Sequence, residues 1–379
     1  MAAPALLRVF DSTAFRTLVA GVLFVLGVIG TGGYLVSRAT EPLEVGQFGI
    51  DFADYRVAAV RMSAGQSPYD ADMLTGPIAA EGQDRYRYPP VLAQLLVPLA
   101  GLPLADATWV WLAVQLACLF GGAWLAGSAA GLARSPERLL WTGAAVTWFL
   151  PDLDALWKGN ISGVQALLVA LLFAPVGVSG GAAAANALLK LTPLAMAPIA
   201  FLRSRRDAIA LVAVGAVVGV VSLMLAPQAW ADYGTVVVNL LRGSADYAAN
   251  LAPAVQLDVA LGVGAPWTDL VRVATLALGV VLLALGLVWA RRPGGWPGAA
   301  TAGVAGMLLL PGAIWYHYLA LLLPVAIVAW ARADTRQRIG LAISGGAISV
   351  GTAWLPLASA GAAALVVLCL IALRPPARA

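Results

Sequence analysis

"TLVAGVLFVLGVIGTGGYLV", residues 17–36, decides the class of fold. No residue in it is charged. As a helix rising about 1.5 Å per residue it measures roughly 30 Å, the thickness of a bilayer's hydrocarbon core. Arg8 and Arg16 precede it and no small-x-small cleavage site follows, so it reads as a signal anchor with the N-terminus in the cytoplasm.

Similar runs recur to the end of the chain. Hydrophobic residues make up 61% of it and charged residues only 11%, with a mean hydropathy of +0.86. A soluble domain carries about 25% charge. The expected fold is therefore an all-α polytopic membrane protein. It forms a single unit over 1–379, because no polar segment is long enough for a separate soluble domain. Twelve spans can be drawn, at about 17–37, 88–103, 106–128, 138–152, 161–177, 181–202, 208–226, 268–290, 297–312, 315–331, 339–356 and 358–373. The plasma membrane is the expected location.

Charge sets the orientation. The net charge of +4 resides in short clusters between apolar runs, a pattern of membrane topology rather than of nucleic-acid binding. With the N-terminus inside, "RSRRD" (203–207), "RR" (291–292), "RADTRQR" (332–338) and the C-terminal arginines fall in the cytoplasm. Two long loops, about 39–88 and 227–267, fall outside. The first holds eight acids (Glu41, Glu44, Asp51, Asp54, Asp70, Asp72, Glu81, Asp84) against four arginines. "ARSPER" (133–138) falls outside, against the rule. The cluster Asp152, Asp154, Lys158 and Asn160 falls in the cytoplasm, away from the outer loops, and is left out of the catalytic set. Cys118 and Cys369 lie in separate apolar runs and read as core thiols. The preference for Arg over Lys, with abundant Ala and Gly, suits a GC-rich genome such as an actinobacterial one.

Within the first loop, "DFADYRVAAVRMSAGQSPYD" (51–70) has two readings. In one, Asp51 caps a short surface helix over 51–64, with Asp54 three residues on as in a capping box. Phe52, Tyr55, Ala59 and Met62 form its apolar stripe and Gly65 its stop. In the other, a carboxylate held at the membrane boundary takes the proton from an acceptor hydroxyl as it attacks a lipid-linked sugar. Spacing leaves both readings open.

The ordered set "DFADYRVAA", "GQSPYD", "YRYPPVLAQLLVPLAGLP", "KGNISGVQALLVALL", "ALLKLTPLAMAPIAFLRSRR" and "LLLPGAIWYHYLALLLP" resembles glycosyltransferase family 87 of the GT-C superfamily over about residues 48–330. Those enzymes are polyprenol-phosphate-mannose-dependent mannosyltransferases. The chain is similar to the mycobacterial enzymes that add α-1,2-linked mannose to phosphatidylinositol mannosides. The resemblance implies a GT-C fold with short amphipathic helices in extracytoplasmic loops, and a polyprenyl-phosphate sugar donor. It also implies a glycolipid acceptor, no metal or other cofactor, and transfer with inversion on the extracytoplasmic side. The family's essential aspartate heads a D-F-x-x-Y pattern, which places that role on Asp51, with Asp54 as the rival. Where relatives often carry a His-His pair, this chain has His317-Tyr318.

His317 is the only histidine. It is either an interfacial histidine among belt aromatics or a site residue that binds donor phosphate or orients the base. Lys190 falls mid-span, where a cation is costly, and either pairs with an acid or binds the donor phosphate; Pro193 is positioned to kink its helix. Arg85 and Arg87 either bridge to Asp84 and snorkel, or contact that phosphate. Tyr55, Tyr88, Trp315 and Tyr316 are the aromatic candidates for substrate contact. A related enzyme that transfers arabinofuranose is one alternative. A lipid-linked sugar transporter is another, although no inverted repeat is visible.

Overall fold

The computed structural model describes residues 12–40, 48–78, 85–243 and 247–376. Among them every regular element is a helix. Five are long and apolar enough to cross a bilayer: α1 (Thr13–Thr40), α4 (Leu104–Ala129), α10 (Arg205–Leu225), α13 (Trp267–Ala290) and α17 (Leu355–Leu373). The others are α2 (Ile50–Ser63), α3 (Pro90–Ala100), α5 (Pro136–Trp148), α6 (Leu150–Lys158), α7 (Ser162–Leu172), α8 (Val178–Leu189), α9 (Ala197–Arg203), α11 (Pro227–Arg242), α12 (Pro253–Leu261), α14 (Trp296–Leu309), α15 (Leu322–Arg332) and α16 (Thr335–Val350).

The bundle has two chemically different ends. At one, Arg16 of α1 pairs with Glu137 of α5 at 2.8 Å, and the two helices run side by side from there. Trp148 at the far end of α5 donates to the Leu23 carbonyl and Thr31 to the Thr147 carbonyl. At the other end, Arg38 of α1 lies over the Trp157 ring of α6. Residues 133–138 therefore share an end with Arg16, while 152–160 share an end with the first acidic loop. The sequence reading separates 133–138 from Arg16 and 152–160 from the first acidic loop; the structure joins each pair. The cause is α3, which does not cross. It has only 11 residues, about 17 Å of helix. It packs against α2, where Arg56 donates to the carbonyls of Ala100 and Leu102 at 3.2 and 2.5 Å and satisfies groups that the helix end leaves open.

The expected span at 181–202 is also different. Asp207 accepts from the Gly177 and Gly180 backbone and from the Ser179 hydroxyl. Arg203 approaches the same carboxylate at 3.7 Å and donates to the Ala174 carbonyl. Residues 174–180 and 203–207 are thus fixed at one end, so α8 and α9 form a hairpin that goes in and returns. The helix does not kink at Pro193 but stops at Leu189. Lys190 is extended, and a 3-10 turn (Thr192–Met196) begins the descent. Helices of about 18 Å and less fit such a re-entrant pair.

The two long loops pack on each other. Asn239 of α11 donates to the Met73 carbonyl at 2.8 Å and accepts from the Ile78 backbone at 3.1 Å. Further along, the Asn250 side chain accepts from Ile314 and Ala252 and donates to the Gly312 carbonyl, which staples the second loop to the turn before Trp315.

Candidate active site

The site begins with a joint between two short helices. α6 ends at Lys158, and Gly159 adopts φ +68°, a left-handed conformation that favours glycine. A Cβ there would stand 2.7 Å from that of Phe52. Gly49, at φ +76°, caps α2 and donates to the Trp157 carbonyl at 2.7 Å. The two glycines let the start of α2 sit directly on the end of α6. Trp111 of α4 locks the joint by donating to the Gly159 carbonyl at 2.7 Å, and Phe52 stacks on its ring.

This joint brings Asn160 to Asp51. The Asn160 amide donates to Asp51 Oδ2 at 2.6 Å and reaches the Tyr55 and Tyr88 hydroxyls at 3.2 and 3.4 Å. Its carbonyl is fixed by the Ser162 backbone and hydroxyl, so the amide cannot turn away. Tyr55 donates to Tyr88 at 3.0 Å. Burial pushes both phenols above their ordinary range, reinforced at Tyr55 by Tyr88 and then Asp51 and at Tyr88 by the Asp51 carboxylate, so both stay protonated donors. Asp51 does not cap its helix. α2 starts at Ile50 with Gly49 as N-cap and no side-chain cap bond, so the carboxylate turns toward Asn160. The expected stripe and stop are otherwise present, with Phe52, Tyr55 and Ala59 buried and Gly65 at φ +72°. Asp54 lies half-buried three residues on from Asp51.

Cations stand opposite. The α8–α9 hairpin places Lys190 Nζ 3.3 Å from the centre of the Tyr318 ring and 5.5 Å from that of Tyr88, within electrostatic reach of Asp51. Arg87 is close enough to act on Tyr88. His317, buried in the 3-10 segment Tyr316–Leu321, meets Asp154 of α6 through Nδ1 at 3.2 Å. Lys158 approaches Asp154 at 3.1 Å and Trp157 donates to it at 3.0 Å. Burial works to raise the Asp154 carboxyl, but the His317 bond and the Lys158 ammonium outweigh it and hold the group at about 2. Nδ1 therefore carries the imidazole proton. His317 Nε2 is buried and has no hydrogen-bond partner among the described residues.

The structure thus gathers Asp51, Tyr55, Tyr88, Lys190 and His317. Other candidates are occupied elsewhere. Arg85 pairs with Asp72 at 2.6 Å; Asp84, its expected partner, lies outside the described residues. Tyr316 donates to the Ile348 carbonyl in α16 and serves packing. Trp315 lies against Tyr247 of the second long loop, with ring centres 6.0 Å apart. The sequence reading missed Asn160, Asp154 and Lys158, which it had assigned to the cytoplasm. "ARSPER" held the signal: moving that positive cluster to the side the rule prefers carries 152–160 to the site. Among the described residues no three His, Cys, Asp or Glu side chains gather as a metal site.

No curated relative and no solved structure matches the chain. The profile of glycosyltransferase family 87 matches residues 86–310. That match takes in more than half the chain, including Arg87, Tyr88, Asn160 and Lys190, while Asp51 and His317 flank it. A membrane bundle with a carboxylate and cations facing each other at one end suits glycosyl transfer, and the chain belongs to glycosyltransferase family 87, a family of membrane glycosyltransferases.

Proposed function

We propose that the protein transfers mannose from a polyprenyl-phosphate donor to a mannosylated lipid acceptor, a phosphatidylinositol mannoside or a lipomannan-like glycolipid. The reaction takes place on the extracytoplasmic face of the plasma membrane and forms an α-1,2 linkage with inversion. The observation that carries the reading is Asp51, held by Asn160 on one side and opposed by Lys190 and His317 on the other. As the acceptor oxygen bonds to C1 of the sugar, its proton passes to Asp51. The bond from C1 to the phosphate oxygen breaks, and polyprenyl phosphate leaves as an anion. Lys190 and Arg87 stabilise that charge, and the phosphate favours the doubly protonated form of His317, whose Nε2 then donates. The GT-C architecture expected from the resemblance suits this scheme, and the arginine-rich end opposite Asp51 suits a cytoplasmic placement of that end.

Sugar transfer by Asp51→Asn protein, beside wild type and Asp54→Asn, tests the reading with polyprenyl-phosphate mannose and phosphatidylinositol mannoside in detergent. Loss of transfer by at least about 10²-fold at Asp51 alone is expected, with thermal stability unchanged. Normal transfer by Asp51→Asn sinks the base assignment. Transfer of arabinofuranose but not mannose by wild type sinks the donor assignment.

A further inference from the structure

A groove of about 1190 Å³ runs along the bundle away from Asp51. One wall is α1 and α5; the other is α15 and α16. Leu23, Ala145, Ile327, Ala342 and Leu365 give it an apolar lining. From Glu137 to Trp148 along α5 it extends about 17 Å, close to the depth of one leaflet in a hydrocarbon core of about 30 Å.

Its ends differ. Toward Asp51 the walls are tied together: Ser349 of α16 donates to the Trp148 carbonyl at 3.2 Å and accepts from the Leu150 backbone at 3.3 Å. At the far end Arg16, Glu137, Arg138 and Arg338 line the groove. Arg134, Arg332 and Arg336 lie in the same turns, where Glu137 and Asp334 are the only acids. Glu137 is engaged by Arg16 and Asp334 caps α16. Arg338 uses Nε on the Trp330 carbonyl, and among the described residues no carboxylate pairs with it. We infer that this groove holds one acyl chain of an anionic phospholipid from the leaflet opposite the transfer site, with its phosphate at Arg338. An apolar slot of one-leaflet depth takes a chain. A positive rim at the open end selects a negative headgroup. The tie at Ser349 closes the slot toward Asp51, which separates this lipid from the sugar donor. The inference goes beyond the transfer reaction and does not depend on it.

Gly345 and Gly346 line the groove, and a Cβ added at either meets nothing within 4 Å. Gly346→Leu therefore fills the slot without a clash. Native mass spectrometry of the full chain in detergent, titrated with phosphatidylglycerol or phosphatidylcholine of equal chain length, reads occupancy. Wild type should retain one phosphatidylglycerol at least about fivefold better than phosphatidylcholine. Gly346→Leu should lose that adduct about tenfold. Arg338→Gln should keep an adduct but lose the preference. Gly33→Leu, at an open position of α1 outside the groove, should bind as wild type. Equal retention of both lipids by wild type overturns the inference. So does an unchanged adduct in Gly346→Leu, equal loss in Gly33→Leu, or displacement of the phospholipid by polyprenyl phosphate.

Discussion

The general base proposed at Asp51 must be both oriented and still, and Asn160 supplies both properties. The amide that bonds Asp51 is itself held by Ser162, so removing it frees the carboxylate and leaves Tyr55 and Tyr88 short of a partner. Asn160→Ala is expected to cost about 1–3 kcal/mol of stability through the broken network. Transfer should fall by more than that loss of folded protein explains, which rates normalised to folded fraction will check. Asn160→Asp, which sets a second carboxylate 2.6 Å from the first, should inactivate more severely, with the pH optimum displaced upward. Asp152, two residues from the His317 partner Asp154, behaves oppositely. Its carboxyl is buried without a hydrogen-bond partner among the described residues, and burial pushes it well above the ordinary carboxylate range. Above the unfolded carboxyl's pKa the unfolded chain has released this proton while the folded chain keeps it, so Asp152 costs stability as pH rises. Asp152→Asn should therefore raise the melting temperature at pH 7, by an amount that shrinks as pH approaches about 4. A melting temperature unchanged at both pH values would count against that burial.

At the scale of elements, the site depends on two backbone devices, a left-handed glycine and a helical hairpin. One is the left-handed Gly159, which sets α2 on α6. Gly159→Ala faces both an unfavourable backbone conformation, about 1–2 kcal/mol, and contact with Phe52. It should lower stability and transfer together, whereas Gly65→Ala, equally left-handed but in open space, should lower stability alone. The other device is the α8–α9 hairpin with Lys190 at its tip. Lys190→Met should reduce kcat by about 10²–10³-fold, in the range for removal of one oxyanion donor, with folding intact because the tip packs on rings rather than on an acid. These devices also mark where the sequence was legible. α2 could be read from Phe52, Tyr55 and Gly65, because amphipathic spacing and a glycine stop are local signals. The hairpin could not. Its two halves together have the length and hydropathy of one span, and only the distant Asp207 contacts reveal the return. The same holds for α3, whose apolar run reads as a short crossing until Arg56 ties its end back to α2.

For the whole molecule, one consequence joins these corrections. With α3 lying at the site end and α8–α9 turning back, residues 133–138, 203–207, 291–292 and 332–338 gather at one end and Asp51, Asn160 and His317 at the other. The contacts that place 133–138, Asn160 and His317 span sequence separations of more than a hundred residues. A hydropathy count cannot see that arrangement, but charge can: these four arginine clusters sit on a single side, where the twelve-span drawing leaves "ARSPER" as an exception. Single cysteines in a Cys118→Ala/Cys369→Ala background will test this. In sealed right-side-out vesicles, an impermeant maleimide should label Cys introduced at Ser67 or Thr75 and spare Cys introduced at Arg134 or Arg205, with detergent equalising all four. The decisive position is Asp154→Cys paired with Arg134→Cys. The twelve-span drawing puts 154 inside and 134 outside; the fold puts 134 at the end of Arg16 and 154 at the end of Asp51, so labelling of Arg134→Cys together with the Cys at Ser67 before detergent would undo both the position of α3 and the delivery of Asn160 to Asp51.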